Sequence, residues 1–110
     1  MAKGDLLGEF ELCVLLAVTH LGDDAYGLAI RQLIAKRTGR DTAIGAVYAT
    51  LGRLHDKGLV SFTLSDPEPV PGGRARKCFR LTADGTRALR HSTTMLARML
   101  EGWSPKTERP

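Results

Sequence analysis

Apolar residues keep a helical spacing through the first half of this chain, switch to alternation in the middle, and return to helical spacing near the end. From Gly8 to about His20, Phe10, Cys13, Val14, Ala17, Val18 and Leu21 recur at three and four residues, with Leu12, Leu15 and Leu16 as a second apolar flank. The spacing predicts a helix apolar nearly all round, which must be covered on more than one side. Gly22 is placed to end it. Asp24 is placed to cap a second helix over Ala25 to about Thr38, with Tyr26, Ile30, Leu33 and Ile34 inward and Arg31, Gln32 and Lys36 outward. Gly27 in its first turn reads either as a close helix–helix contact or as slack at the cap. Gly39 stops this helix, and Gly39-Arg40-Asp41 forms a tight link to the next.

The third helix runs between Thr42, a good N-cap, and Gly58, a good stop. Ile44, Val47, Tyr48, Leu51 and Leu54 share one side. The other side carries Ala43, Gly45, Ala46, Ala49, Thr50 and Arg53, small residues followed by a charge one turn later. A solvated face would more often hold Glu and Lys. A smooth face lets a backbone approach another surface closely, and the unpaired N–H groups of a helix N-terminus favour phosphate. Both suit a recognition helix in a DNA major groove, although a helix packed on two sides also needs small residues. Two short helices joined by a brief Gly-containing turn form a helix-turn-helix by spacing.

After Gly58 the period becomes two. Leu59 to Leu64 is β-prone, with Val60, Phe62 and Leu64 on one face. Ser65 to Gly73 is a loop rich in Pro and Gly, and Arg74 to Leu81 reads as the return strand, with Phe79 and Leu81 inward and Arg76, Cys78 and Arg80 outward. A hairpin bearing Arg74, Arg76, Lys77 and Arg80 directly after a recognition helix is a wing able to track a DNA backbone; such cations also block strand addition at a hairpin edge. Thr82 caps a last helix whose Leu89, Leu96 and Trp103 stand seven apart, flanked by Met95, Met99 and Leu100. Following a complete winged domain, that stripe has little left to pack on except a second copy, so Phe10, Leu89, Leu96, Met99, Leu100 and Trp103 are the candidate dimerisation residues.

Composition adds direction to this picture. The 110 residues make one domain, with a net charge of +4 and 43% hydrophobic residues. Charge is unevenly spread: Asp5, Glu9, Glu11, Asp23 and Asp24 lie early, while Arg31, Lys36, Arg37, Arg40, Arg53, Lys57, Arg74, Arg76, Lys77 and Arg80 fill the middle. A basic block inside a folded region points to a polyanion. Arg37 and Arg40 stand beside the start of the third helix. Cys13 and Cys78 have no partner at metal-ligand spacing, so no zinc and no cofactor is expected, while a disulfide between them stays open. Leu12 to Val18 is too short for a signal peptide or a membrane span, which places the protein in the cytoplasm. His20, His55 and His91 are scattered and Gly72-Gly73 lacks a phosphate-loop pattern, so no catalytic constellation emerges.

Taken in order, Leu7-Gly-Glu-Phe-Glu-Leu12, Ala25-Tyr-Gly-Leu-Ala-Ile30, Gly45-Ala-Val-Tyr-Ala-Thr-Leu51 with Leu54, Lys57-Gly-Leu-Val60, and Gly72-Gly-Arg74 with Arg76-Lys-Cys-Phe-Arg-Leu-Thr82 resemble the PadR family of bacterial transcriptional regulators. The resemblance spans residues 6 to 103 and departs at Cys78, where the family usually has an aromatic. It implies a mainly α fold with a two-stranded β-hairpin, a winged helix-turn-helix over residues 1–82, a C-terminal dimerisation helix over 83–103 and a polar tail at 104–110. The implied function is a dimeric repressor on a palindromic double-stranded DNA operator. Arg40, Arg53, Arg74, Arg76 and Lys77 then supply phosphate affinity, and Thr42, Ala43, Gly45, Ala46, Ala49 and Thr50 face base edges; Arg53 suits either role. Tyr48 matches the family's Tyr in the recognition helix and is either a phosphate contact or core. In some of the smaller members flat aromatic or drug-like molecules bind in a hydrophobic pore at the dimer interface, which Phe10 and Trp103 are placed to line, unless Trp103 only packs the seam. The competing reading is a winged protein-interaction or ligand-sensing module that does not bind DNA.

Overall fold

Helix α1 (Glu9–Leu21) is the element that the others pack around. The structure is a computed structural model that describes residues 7–65 and 75–105. After α1 come a 3-10 turn (Gly22–Asp24), α2 (Gly27–Thr38), α3 (Ile44–Asp56), strands β1 (Val60–Leu64) and β2 (Lys77–Leu81), and α4 (Ala83–Leu100). Val14, Leu15, Ala17 and Val18 of α1 meet Ile30 and Ile34 of α2, Val47, Leu51 and Leu54 of α3, Val60 and Phe79 of the hairpin, and Ala88 and Leu89 of α4 in one core. Each fully buried Leu or Val there stabilises the fold by roughly 1.5–3 kcal/mol. This is a winged helix-turn-helix, mainly helical with a two-stranded antiparallel hairpin.

α1 ends as its sequence predicts, with Gly22 at positive φ and its N–H donating to the Val18 carbonyl. α2 starts later than expected. Asp24 is not its cap; the chain stays extended through Tyr26, and the helix begins at Gly27. The reason lies in β2: the Phe79 N–H donates to the Ala25 carbonyl at 2.9 Å and Tyr26 forms an isolated antiparallel bridge with Cys78, so these residues are held extended beside β2 before the helix can start. Gly39 then terminates α2 in the left-handed conformation.

The start of α3 is also displaced. Thr42 is not the cap, and Ala43 holds that position. Arg31 from α2 captures the link instead, donating from Nε to the Thr42 carbonyl at 2.6 Å and from Nη2 to Asp41 at 3.2 Å. In the hairpin, Val60 faces Leu81 and Phe62 faces Phe79, whose rings stack tilted at 5.6 Å. Leu64 shares their side in sequence but is exposed, because the strand runs past the edge of the core. The wing loop, including Arg74, lies outside the described residues apart from Ser65 and Ala75–Arg76. Cys13 and Cys78 are free thiols, both half-buried, and the Cys78 thiol donates to the Asp23 carbonyl at 3.2 Å.

The predicted cap of α4 is present and does more than cap. Thr82 Oγ1 accepts the Gly85 N–H at 3.0 Å while its hydroxyl donates to the Gly58 carbonyl at 2.6 Å, and its N–H donates to the Leu59 carbonyl at 3.0 Å. Gly85 is obligatory here, since a Cβ would collide with the Leu59 carbonyl. Gly85, Ala88, Leu89 and Ser92 are buried against the body, so Leu89 belongs to the chain's own core rather than to a dimer seam. Past Ser92 the same apolar side of α4 continues into solvent with Met95, Leu96, Met99 and Leu100. The helix stops at Leu100, short of Trp103, which follows a turn through Gly102 at positive φ. Among the described residues no helix is long and apolar enough to cross a membrane.

Gly85→Ala should destabilise the domain by about 2–3 kcal/mol, the range for overpacking against a fixed neighbour, measured by chemical denaturation; an unchanged midpoint would mean that α4 is not seated this tightly.

Candidate nucleic-acid interface

The solvent face of α3 differs from a simple reading of its periodicity by about one position. Val47, Thr50, Leu51 and Leu54 are its buried residues. Ile44 is exposed and Tyr48 is 47% exposed, whereas Thr50, expected to face base edges, is only 1% exposed. Thr50 is therefore not available to a base edge. It acts on the face from below, its hydroxyl accepting Arg53 Nη2 at 3.0 Å. The open face is formed by Ala43, Gly45, Ala46, Tyr48, Ala49, Gly52 and Arg53.

Two glycines on that face have no internal reason to be glycine. Cβ atoms added at Gly45 and Gly52 would meet nothing within 4 Å, and neither residue has a positive φ. Each costs the helix roughly 1 kcal/mol relative to Ala. Packing among the described residues therefore does not require them. Gly52 was missed by the sequence reading; its spacing of seven from Gly45 was the available signal.

Tyr48 is positioned by a glycine on another helix. A Cβ at Gly27 would collide with the Tyr48 ring, so the bare first turn of α2 is the seat of that ring. Gly27 is thus a close helix–helix contact. Beside it, the Arg76 guanidinium lies 4.1 Å from the centre of the Tyr26 ring, and Lys77 Nζ lies 4.5 Å from that of Phe62. Tyr26, Gln32, Tyr48, Ala75, Arg76 and Lys77 surround a cleft between α2, α3 and the base of the wing. Cation–aromatic stacking leaves the edge of a guanidinium free to donate. Thr42 is half-buried in its link.

Arg40 is not aimed ahead of α3. It turns toward α1, pairing with Glu9 at 3.1 Å and lying 4.9 Å from the centre of the Phe10 ring, which is therefore half-covered within its own chain. Behind the face, Glu11 of α1 is nearly buried. Burial works to raise its pKa, but the Gly8 N–H, the Lys57 ammonium and the charge of Arg53 together hold it below the usual carboxylate value.

A basic hairpin flanking a smooth-faced third helix defines the winged helix-turn-helix class of nucleic-acid-binding domains. The chain matches the model of the transcriptional regulator PadR-like family over residues 15–91, and it belongs to that family of DNA-binding transcription regulators. Its members are not enzymes. Similar solved structures include a PadR-like transcription factor from Bacteroides fragilis, 26% identical, with 84% of each chain covered and a TM-score of 0.68. A PadR family regulator from Eggerthella lenta is 27% identical over 81% of this chain and 75% of that one, at a TM-score of 0.63. RosR from H. salinarum, 24% identical over 89% of this chain and 81% of that one at a TM-score of 0.63, shares the fold. No protein among the curated sequences matches this chain.

Replacing Gly45 or Gly52 by Ala should raise stability by roughly 0.5–1 kcal/mol each in thermal melts, while weakening any ligand that needs the close approach. Stability should also fall as pH drops below 4.5, the ordinary glutamate value. The sign follows from linkage: a folded pKa held low contributes stability above the unfolded value and loses it on acidification. Glu11→Gln should flatten that part of the acid profile; an unaltered profile would remove Glu11 from the account.

Proposed function

We propose that this regulator is a homodimeric repressor that seats α3 of each protomer in successive major grooves, about 34 Å apart, on a two-fold symmetric operator. The observation that carries the reading is the open face of α3, where Gly45 and Gly52 face empty space beside Arg53. Ala43, Gly45, Ala46, Ala49 and Gly52 approach base edges, with alanine methyls able to meet thymine methyls. Tyr48, Arg53, Arg76 and Lys77 contact phosphates, joined by Arg74 on the wing. Few of these are bidentate base readers, so part of the sequence preference comes from DNA shape.

The second half of α4 supports the dimer. Its apolar side leaves the body at Met95 and Leu96 and ends with Met99, 76% exposed, followed by Leu100 and Trp103. The dimerisation segment is then residues 95–103, since the first half of α4 is packed in the chain's own core with the DNA-binding unit. Repression follows from occupying DNA that polymerase must reach. The reading includes release by a flat aromatic ligand held between Phe10 and Trp103 at the seam, and Trp103, the one tryptophan of the chain, would report its binding by fluorescence.

Binding to the DNA upstream of the protein's own gene should weaken steeply with salt, and Ala49→Glu should abolish it. Leu96→Glu with Met99→Glu should give a folded monomer by light scattering and lower affinity at least tenfold through lost bivalence. Salt-insensitive binding, or a variant that stays dimeric, would refute the corresponding half of the reading.

A further inference from the structure

The packing of α1 on α3 includes one charged contact that is nearly buried. Glu11, with only 12% of its side chain exposed, uses both carboxylate oxygens: Oε1 accepts the Gly8 N–H and Oε2 accepts Lys57 Nζ, each at 2.9 Å. The first bond fixes the side chain against its own helix. The second reaches 46 residues along the chain to the C-terminal cap of α3. Arg53, one turn earlier on α3, feels the same carboxylate and is held by Thr50. On the other side of α3, Arg40 precedes the helix and is gripped by Glu9 and Phe10. The first turn of α1 thus holds residues flanking both ends of α3.

A nearly buried ion pair is a poor source of stability, because desolvation offsets its attraction and apolar replacements are often neutral or stabilising. What it supplies is direction. Close-packed apolar side chains fix the spacing of the two helices; a charge-assisted bond adds a preference for one register of α3 against α1. We propose that Glu11 is a positioning residue for DNA reading, fixing α3 against α1 through Lys57 so that the reading face is presented at one angle. The proposal deepens the reading of α3 as the DNA-reading helix and rests on it.

The charge makes the test sharp. Glu11→Gln raises the net charge of +4 by one, so simple attraction to phosphate predicts tighter binding to every duplex. Positioning predicts weaker binding to the preferred sequence alone. The measurement is the affinity, at fixed salt, for a duplex selected by the wild-type protein from a random pool and for an unrelated duplex of equal length. The ratio of the two should fall about tenfold in Glu11→Gln, in Lys57→Met and in the double variant E11M/K57M, a coupling of ordinary size. Lys57→Arg, which keeps the bridge, should keep the ratio. The double variant should melt no lower than wild type, which separates positioning from mere structural support; should it not fold, the contrast between Lys57→Met and Lys57→Arg carries the test. An unchanged ratio in folded variants, or a uniform gain on both duplexes, would overturn the proposal. Ala49→Glu is the control for the underlying reading: if it still binds the selected duplex, α3 is not the reading helix and the failure lies there.

Discussion

The rest of the structure depends on the burial of α1. Val14 and Leu15 are inaccessible, and a helix with so few polar positions cannot stand without cover. α2, α3, β2 and α4 each supply part of that cover. The helix-turn-helix and the wing are therefore held on one support, and this is what turns two separate binding elements into a single face. The hairpin alone would be marginal in water. The backbone pairing of Ala25 and Tyr26 with β2, and the bonds of Thr82 to Gly58 and Leu59, fasten it to the helices on either side.

Glycine is used here in two opposed ways. Gly27 and Gly85 are glycine because a neighbour occupies the space of the missing side chain, the Tyr48 ring in one case and the Leu59 carbonyl in the other. Gly45 and Gly52 are glycine although nothing in the chain occupies that space. The first pair serves the fold, and its removal is a packing defect. The second pair weakens the fold, and no contact among the described residues calls for it. The distinction cannot be made from composition, which counts all four alike.

Much of the fold was legible because it is written locally. Periodicity marked every helix and both strands, and Gly22, Gly39 and Gly58 all sit at positive φ. What misled the reading was set by distant partners. The start of α2 moved because β2 claims Ala25 and Tyr26, and the cap of α3 moved because Arg31 claims Asp41 and Thr42. Tyr48 is half-exposed with its ring seated against Gly27, whereas Thr50 is buried, a difference that spacing along α3 does not reveal. Of the candidate interface, the small residues of α3 were visible in sequence; the turning of Arg40 toward Glu9, the stacking of Arg76 on Tyr26 and the grip of Glu11 on Lys57 were not, since each joins segments far apart in the chain.

The pairing of Tyr26 with Cys78 has a consequence for how these molecules coexist at high concentration. A two-stranded hairpin ordinarily offers two open flanks, each a template on which another chain can add. Here one flank of β2 is already taken by the molecule's own backbone. The other, along β1, is five residues long and is followed in the chain by Pro67, Pro69 and Pro71, which have no N–H to donate. The molecule's own backbone thus takes up part of the open edge that the wing would otherwise present to a second chain.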